Sequence, residues 1–182
     1  LPGDIKKLSG KDITYNDGTN DIDILDGSPP CSAFSVAGKL SHSSGGKHSD
    51  GWGKTKSYSD GMMVENIEDL FFEFLRVANE IKPKVIVAEN VAGLTIGEAK
   101  EYYNNILNEF EKIGYDVCSQ VMNSKNYGVS QTRTRVIFIG IRNDITEKVW
   151  FNFITIQTVF PEPSDKVIPL KEALEGLVYD PE

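Results

Sequence analysis

Residues 84–90 read KVIVAEN, a continuous apolar run that opens directly after Pro83 and closes on two polar side chains. A strand buried on both faces has this composition, whereas a half-exposed strand alternates. Two amphipathic stretches bracket the run. Over residues 61–82 the apolar positions Ile67, Leu70, Phe71, Phe74, Leu75, Ala78 and Ile81 fall at helical spacing, and Pro83 ends the helix. A second helical pattern covers residues 97–113 and stops at Gly114. "DIDIL" (21–25), "YDVCSQVMN" (115–123) and "RVIFIGIR" (135–142) read as further strands, so the run 84–90 is suited to a parallel sheet. Strand, helix, strand, helix, strand predicts an α/β sheet with helices on both faces. Residues 38–61, rich in Gly, Ser, Lys and His and without periodicity, predict a long mobile loop.

At 182 residues, 40% hydrophobic and 25% charged, the chain has the makings of one ordinary globular domain. No apolar run approaches the ~18 residues that a membrane span needs. Two cysteines, Cys31 and Cys118, make neither a disulfide framework nor a zinc cluster, so no metal and a reduced, cytoplasmic setting are expected. No signal peptide is visible, but the chain opens on Leu1 rather than methionine, and its natural start is expected further upstream. A net charge of −8 argues against a large nucleic-acid footprint. Two local stretches run the other way. Between residues 117 and 143 stand Lys125, Arg133, Arg135 and Arg142 without an acid, and between 38 and 58 four lysines face only Asp50.

In open α/β sheets, ligands bind beyond the carboxyl ends of the strands. "GSPPCS" (27–32) and "AEN" (88–90) both follow such ends. A thiol is only roughly a few per cent ionised at neutral pH, yet it is already a strong nucleophile, and two prolines stiffen the approach to Cys31. The alternative is a small buried hydrophobe. Glu89, at the end of an apolar strand, is short of water, which suits proton transfer; a capping or ion-paired glutamate is the plainer reading. A near copy of its surroundings, "VENIED" with Glu65 and Asn66, has no strand before it and is assigned to solvent. In "QTRTR", alternation along a strand would project Gln131, Arg133 and Arg135 to one side, where guanidinium donors suit phosphate or a carbonyl oxygen.

Taken in order, "PPCSAFS", "KPKVIVAENV" and "NYGVSQTRTRVIFIGIRND" resemble the cysteine loop, the Glu-Asn-Val motif and the Gln-x-Arg-x-Arg motif of the DNA (cytosine-5) methyltransferase family. "GDI" at residues 3–5 is similar to the family's adenine-contacting motif, and "FPEPSDKVIPLKEAL" to the lead-in to its target recognition domain. The resemblance implies a Rossmann-like S-adenosylmethionine-dependent methyltransferase fold, incomplete at its N-terminus. Residues 1–160 would form a partial catalytic domain, and 161–182 would lead into a recognition domain. It implies a thiolate at Cys31 that adds to carbon 6 of cytosine, so that carbon 5 can take the methyl group. Glu89 would protonate or hydrogen-bond the ring nitrogen, Arg135 would hold the ring carbonyl, and Arg133 would act electrostatically nearby. Asp4, Ile5 and Pro30 would bind the cofactor. Pro29, Ser32, Asn90, Val91 and Gln131 would bind the substrate base. Double-stranded DNA would be the partner, with the base flipped out of the stack, in a monomeric enzyme of restriction-modification or phage type. The loop 38–61 would close on DNA.

The chain departs from the family's pattern at Ser32, where glutamine is usual, and in the greater length of that loop. It also lacks the glycine-rich cofactor motif, the acid that holds the ribose, and the recognition domain. It is therefore expected to be the central part of such an enzyme and inactive in isolation. Two alternatives stay open within the resemblance: methylation of a transfer RNA by the same motifs, and a catalytically idle nucleic-acid-binding piece. Methylation of an exocyclic nitrogen fits less well, because Cys31 stands in "SPPC" where that chemistry carries an aromatic ring.

Overall fold

The computed structural model describes residues 4–13, 21–30, 56–57, 63–64, 69–97, 99–150 and 159–177. In chain order these contain strand β1 (Ile24–Gly27), a short antiparallel pair β2 (Lys56–Ser57) and β3 (Met63–Val64), helix α1 (Asp69–Ile81) and strand β4 (Val85–Val91). Helix α2 (Ala99–Lys112), strands β5 (Tyr115–Asn123) and β6 (Thr134–Arg142), helix α3 (Asn143–Trp150) and a single helical turn α4 (Leu170–Ala173) follow. The first helix is shorter than its periodicity predicts. Met63–Val64 is strand, and the helix is described only from Asp69. Its end is as expected: Pro83 disfavours a helical residue before it, and Lys82 turns into the left-handed region at φ 48°.

The main sheet has the order β1-β4-β6-β5. β4 lies parallel to β1, and β6 is inserted antiparallel between β4 and β5. The α/β class is as read from the sequence, but the two long helices are not divided between the faces. The side chains of α1 and α2 share one core with Ile86, Ala88, Val136 and Phe138, so both long helices cover the same face. Handedness explains this. The crossovers β1–α1–β4 and β4–α2–β5 join parallel strands and step across the sheet in the same direction, so right-handed connections put both helices on one side.

That face is densely aromatic. Phe138 meets Phe71 edge-on at 5.5 Å, Tyr103 at 5.7 Å, and Phe110 stacked at 6.4 Å. Phe71, Phe110 and Phe138, wholly withdrawn from water, contribute about 1.5–3 kcal/mol each. Packing is close enough to dictate small residues opposite. A Cβ at Gly27 would overlap the Phe74 ring, so β1 carries glycine where α1 crosses it. β4 is fully buried on this face alone, through Ile86, Ala88 and Asn90, and its other side chains are half-buried. The expectation of burial on both faces is thus half met. On the second face Phe160 covers Cys118 beside Ile137, Ile139 and Ile141, and the buried Thr146 fastens α3 to β5 by donating to the Asp116 carboxylate. Burial pushes the Cys118 thiol up to about 11, so this cysteine is an apolar filler.

Candidate active site

The register brings four strand ends to one edge. β1 and β4 run parallel with Gly27 beside Ala88, so both carboxyl ends point the same way. β6 is antiparallel, so its first residues arrive at that edge, with Arg135 opposite Val91. β5 ends there too, with Asn123 opposite Thr134.

Glu89 pairs across the ladder with Ile137, which makes Arg135 its diagonal neighbour on the same face. Arg135 Nε lies 2.8 Å from Glu89 Oε1, and Arg133 Nη2 donates to the same oxygen at 3.2 Å. Among the described residues, Oε2 of Glu89 accepts no bond. Glu89 and Arg135 each keep about a quarter of their side-chain surface, whereas Arg133 keeps half. The pair is reachable, yet sheltered enough to be held more firmly than an ion pair in open water. Arg135 also donates from Nη1 to the Thr134 carbonyl at 2.8 Å, which fixes the plane of its guanidinium.

The arginines converge for different reasons. Strand β6 begins at Thr134, so the alternation expected to align Gln131, Arg133 and Arg135 governs Arg135 alone. Arg133 belongs to the preceding loop, and Ser124 closes that loop. Its Oγ bonds the Gln131 carbonyl at 2.5 Å and accepts the Arg133 N–H at 3.2 Å, while its own N–H donates to the Arg133 carbonyl at 3.0 Å. Gln131 is exposed in this turn. Sequence reasoning passed over Ser124, because a single serine in a polar turn carries no signal of its own.

On the opposite face of β4, Asn90 is 3% exposed. Its Nδ2 donates to the Pro29 carbonyl at 3.1 Å and its Oδ1 accepts the Val91 N–H at 2.8 Å. Asn90, expected against the substrate, thus has its side chain turned inward to the loop leaving β1. Pro29 is half-buried and Pro30 exposed at that edge. Cys31, Ser32, Glu65, Asn66 and the loop 38–61, apart from Lys56–Ser57, lie outside the described residues. Asp4 and Ile5 form a separate feature, a 3-10 turn in which Asp4 Oδ1 accepts the Lys6 N–H at 3.0 Å. Among the described residues no group of His, Cys, Asp and Glu gathers as metal ligands, and no helix is long and apolar enough to cross a membrane.

Residues 2–179 match the family described as C-5 cytosine-specific DNA methylase. The chain is 34% identical to the type II methyltransferase M.NgoPII of Neisseria gonorrhoeae, over 99% of its own length and 43% of that protein. It is likewise 34% identical to the type II methyltransferase M.Eco47II of Escherichia coli, over 88% of its length and 33% of the relative. The chain thus spans less than half of the curated relatives it matches. In fold it is similar to a crystal structure described as a DNA modification methyltransferase encoded within an E. coli prophage. That match has a TM-score of 0.64 at 23% identity and covers 98% of this chain and 42% of that one.

Proposed function

The chain belongs to the C-5 cytosine-specific DNA methylase family, and from that premise we propose that the protein carrying it methylates carbon 5 of cytosine in double-stranded DNA, as the modifying half of a type II restriction-modification pair. The observation that carries this reading is the Glu89 carboxylate, gripped through one oxygen by two guanidiniums at the edge where Pro29 and Pro30 arrive. A flipped cytosine offers a ring nitrogen beside an amino group and a carbonyl on the other side. The open oxygen of Glu89 suits the first, accepting from the amino group as a carboxylate and donating to the ring nitrogen in its acid form, and the neighbouring guanidinium suits the second.

Carbon 5 is a poor nucleophile until carbon 6 has taken an electron pair. In this reading the Cys31 thiolate adds to carbon 6 while Glu89 hydrogen-bonds or protonates the ring nitrogen and Arg135 holds the carbonyl oxygen. The negative charge that would collect on the ring is thereby spread over fixed partners. Carbon 5, now enamine-like, forms the new carbon–carbon bond. Loss of its proton then expels the thiolate and restores the ring. When bound, S-adenosylmethionine would supply that methyl group, its sulfur keeping the electron pair of the broken S–CH3 bond and leaving as S-adenosylhomocysteine. The groups at the Asp4 turn fit its adenine end: an exposed carboxylate to accept from an amino group, beside the half-buried apolar side chain of Ile5. The target base must leave the duplex stack, at a cost of roughly a few kcal/mol.

The test is covalent trapping. A cytosine with fluorine at carbon 5 cannot lose a proton there, so the adduct should persist. Full-length protein, fluorinated duplex DNA and S-adenosylmethionine should give a heat-stable shifted band on denaturing electrophoresis, absent in Cys31→Ala. A wild-type protein that methylates DNA without forming that band would remove Cys31 from the mechanism. A band obtained only with fluorinated transfer RNA would move the substrate from DNA to RNA.

A further inference from the structure

We propose that Arg76 is a positioning residue for the adenine end of the methyl donor, acting through the turn at Asp4 and Ile5; this rests on the assignment of that turn given above. The turn belongs to no strand or long helix. It closes on itself, with Lys7 N–H donating to the Asp4 carbonyl at 2.9 Å and Leu8 N–H to the Ile5 carbonyl at 3.1 Å. Below it Ile5, Leu8 and Ile13 rest on Ile22, Val77 and Ile81, an apolar contact that holds the segment down without fixing its orientation.

Orientation comes from one guanidinium. Arg76 Nη2 donates to the Ile5 carbonyl at 2.9 Å and to the Leu8 carbonyl at 2.8 Å, the two acceptors that flank the turn. Its Nε donates to Glu73 at 2.7 Å and its Nη1 to Glu80 at 2.5 Å, one turn to either side along α1. The other Glu80 oxygen accepts the Gly10 N–H at 2.5 Å. A carboxylate–guanidinium–carboxylate row therefore spans two turns of α1 and grips residues 5–10 by their backbone. The grip is tight: a Cβ on Gly10 would lie 2.6 Å from Glu80 Cβ and 2.9 Å from Ile81 Cγ2.

Exposed ion pairs between helix neighbours contribute little. Here the guanidinium is committed to backbone carbonyls 71 and 68 residues away in sequence, and charged donors on carbonyls are the stronger and more directional bonds. Asp4 opens the gripped segment as the cap of its first turn. Without Arg76 the turn keeps its apolar seat but loses its direction, and ligand binding must then order it. Glu89 and Arg135 lie on the opposite face of the sheet from α1, so this pair is untouched.

The experiment measures KM for S-adenosylmethionine and kcat on unmethylated phage DNA with the full-length protein. S-Adenosylhomocysteine affinity by calorimetry and a melting curve are taken for each variant. Arg76→Ala is expected to raise KM for the donor about tenfold, weaken S-adenosylhomocysteine by a similar factor and leave kcat within about twofold. Arg76→Lys should recover part of the loss, since an ammonium can still donate to one or both carbonyls. Glu80→Gln, which keeps the helix but loosens the Gly10 contact, should move KM in the same direction, and it decides the matter if Arg76→Ala does not fold. An unchanged KM in these variants, or a fall in kcat in its place, overturns the proposal. Asp4→Ala separates the two layers. If it leaves KM unchanged, the assignment of the turn falls and the role of Arg76 falls with it. If it raises KM while Arg76→Ala and Glu80→Gln do not, the role of Arg76 alone is refuted.

Discussion

Asn90 and Pro29, sixty-one residues apart in sequence, are joined by a hydrogen bond of 3.1 Å from the Asn90 Nδ2 to the Pro29 carbonyl. The bond ties the end of β4, which carries Glu89, to the loop that leads from β1 toward Cys31. The proposed chemistry depends on these two segments being held together. Asn90→Ala should lower kcat of the full-length protein about a hundredfold, because a reacting group displaced by about an ångström costs on that order. The melting temperature should fall only modestly, since the lost bond carries about 1–3 kcal/mol. Retention of more than half of wild-type kcat would show that Cys31 is placed by other contacts.

The two arginines on Glu89 should not be equivalent. Arg135 is the better sheltered and has its guanidinium oriented by the Thr134 carbonyl, whereas Arg133 is half-exposed and donates from a loop. Arg135→Ala should therefore cost at least tenfold more kcat than Arg133→Ala. Arg135→Lys should recover little, because a point charge does not reproduce the planar fork. Single-turnover rates for Arg133→Ala, Arg135→Ala and the double variant would measure this, and equal losses in the two single variants would refute it.

Phe138 sits where both helices meet the sheet, fully buried against Phe71, Tyr103 and Phe110. Phe138→Ala removes a ring that these neighbours cannot collapse to replace, and should cost about 3–5 kcal/mol of unfolding free energy. Phe138→Leu should cost less than half of that. Urea unfolding followed by far-ultraviolet circular dichroism provides the measurement.

Tyr115 gives a pH signature. Its hydroxyl donates to the Pro83 carbonyl at 2.6 Å, and burial pushes its ionisation up to about 12. The folded state thus keeps the proton that an unfolded tyrosine loses near pH ~10. The contribution is fully present below that value and is lost as pH rises toward about 12. Wild type should lose stability more steeply than Tyr115→Phe across that interval. At neutral pH the variant should be about 1 kcal/mol less stable for want of the bond. Parallel stability curves for the two proteins above pH ~10 would contradict this assignment.

Local pattern was enough to determine the four main strands, the existence of the two long helices and one wall of the core. The spacing of Phe71, Phe74, Leu75 and Ala78, the stops at Pro83 and Gly114, and the apolar runs of β4 and β6 each depend on residues a few positions apart, so they are legible in the chain itself. The order of the three motifs pointed to the family for the same reason. Pairing partners are another matter. That β6 slides antiparallel between β4 and β5, which makes Arg135 the diagonal neighbour of Glu89, is decided by which strands exclude water best together. That both long helices share a face follows from the direction of the crossovers, which no window of sequence encodes. Asn90 could be read only as a polar residue beside Glu89 until β1 was laid parallel to β4, which turned its amide toward Pro29. Arg76 could be read only as part of a charged helix face, with Glu73 and Glu80 at helical spacing, until the N-terminal turn came to rest on α1. Such contacts join groups sixty to seventy residues apart, and they form only when burial of the shared core has offset the entropy of bringing those segments together.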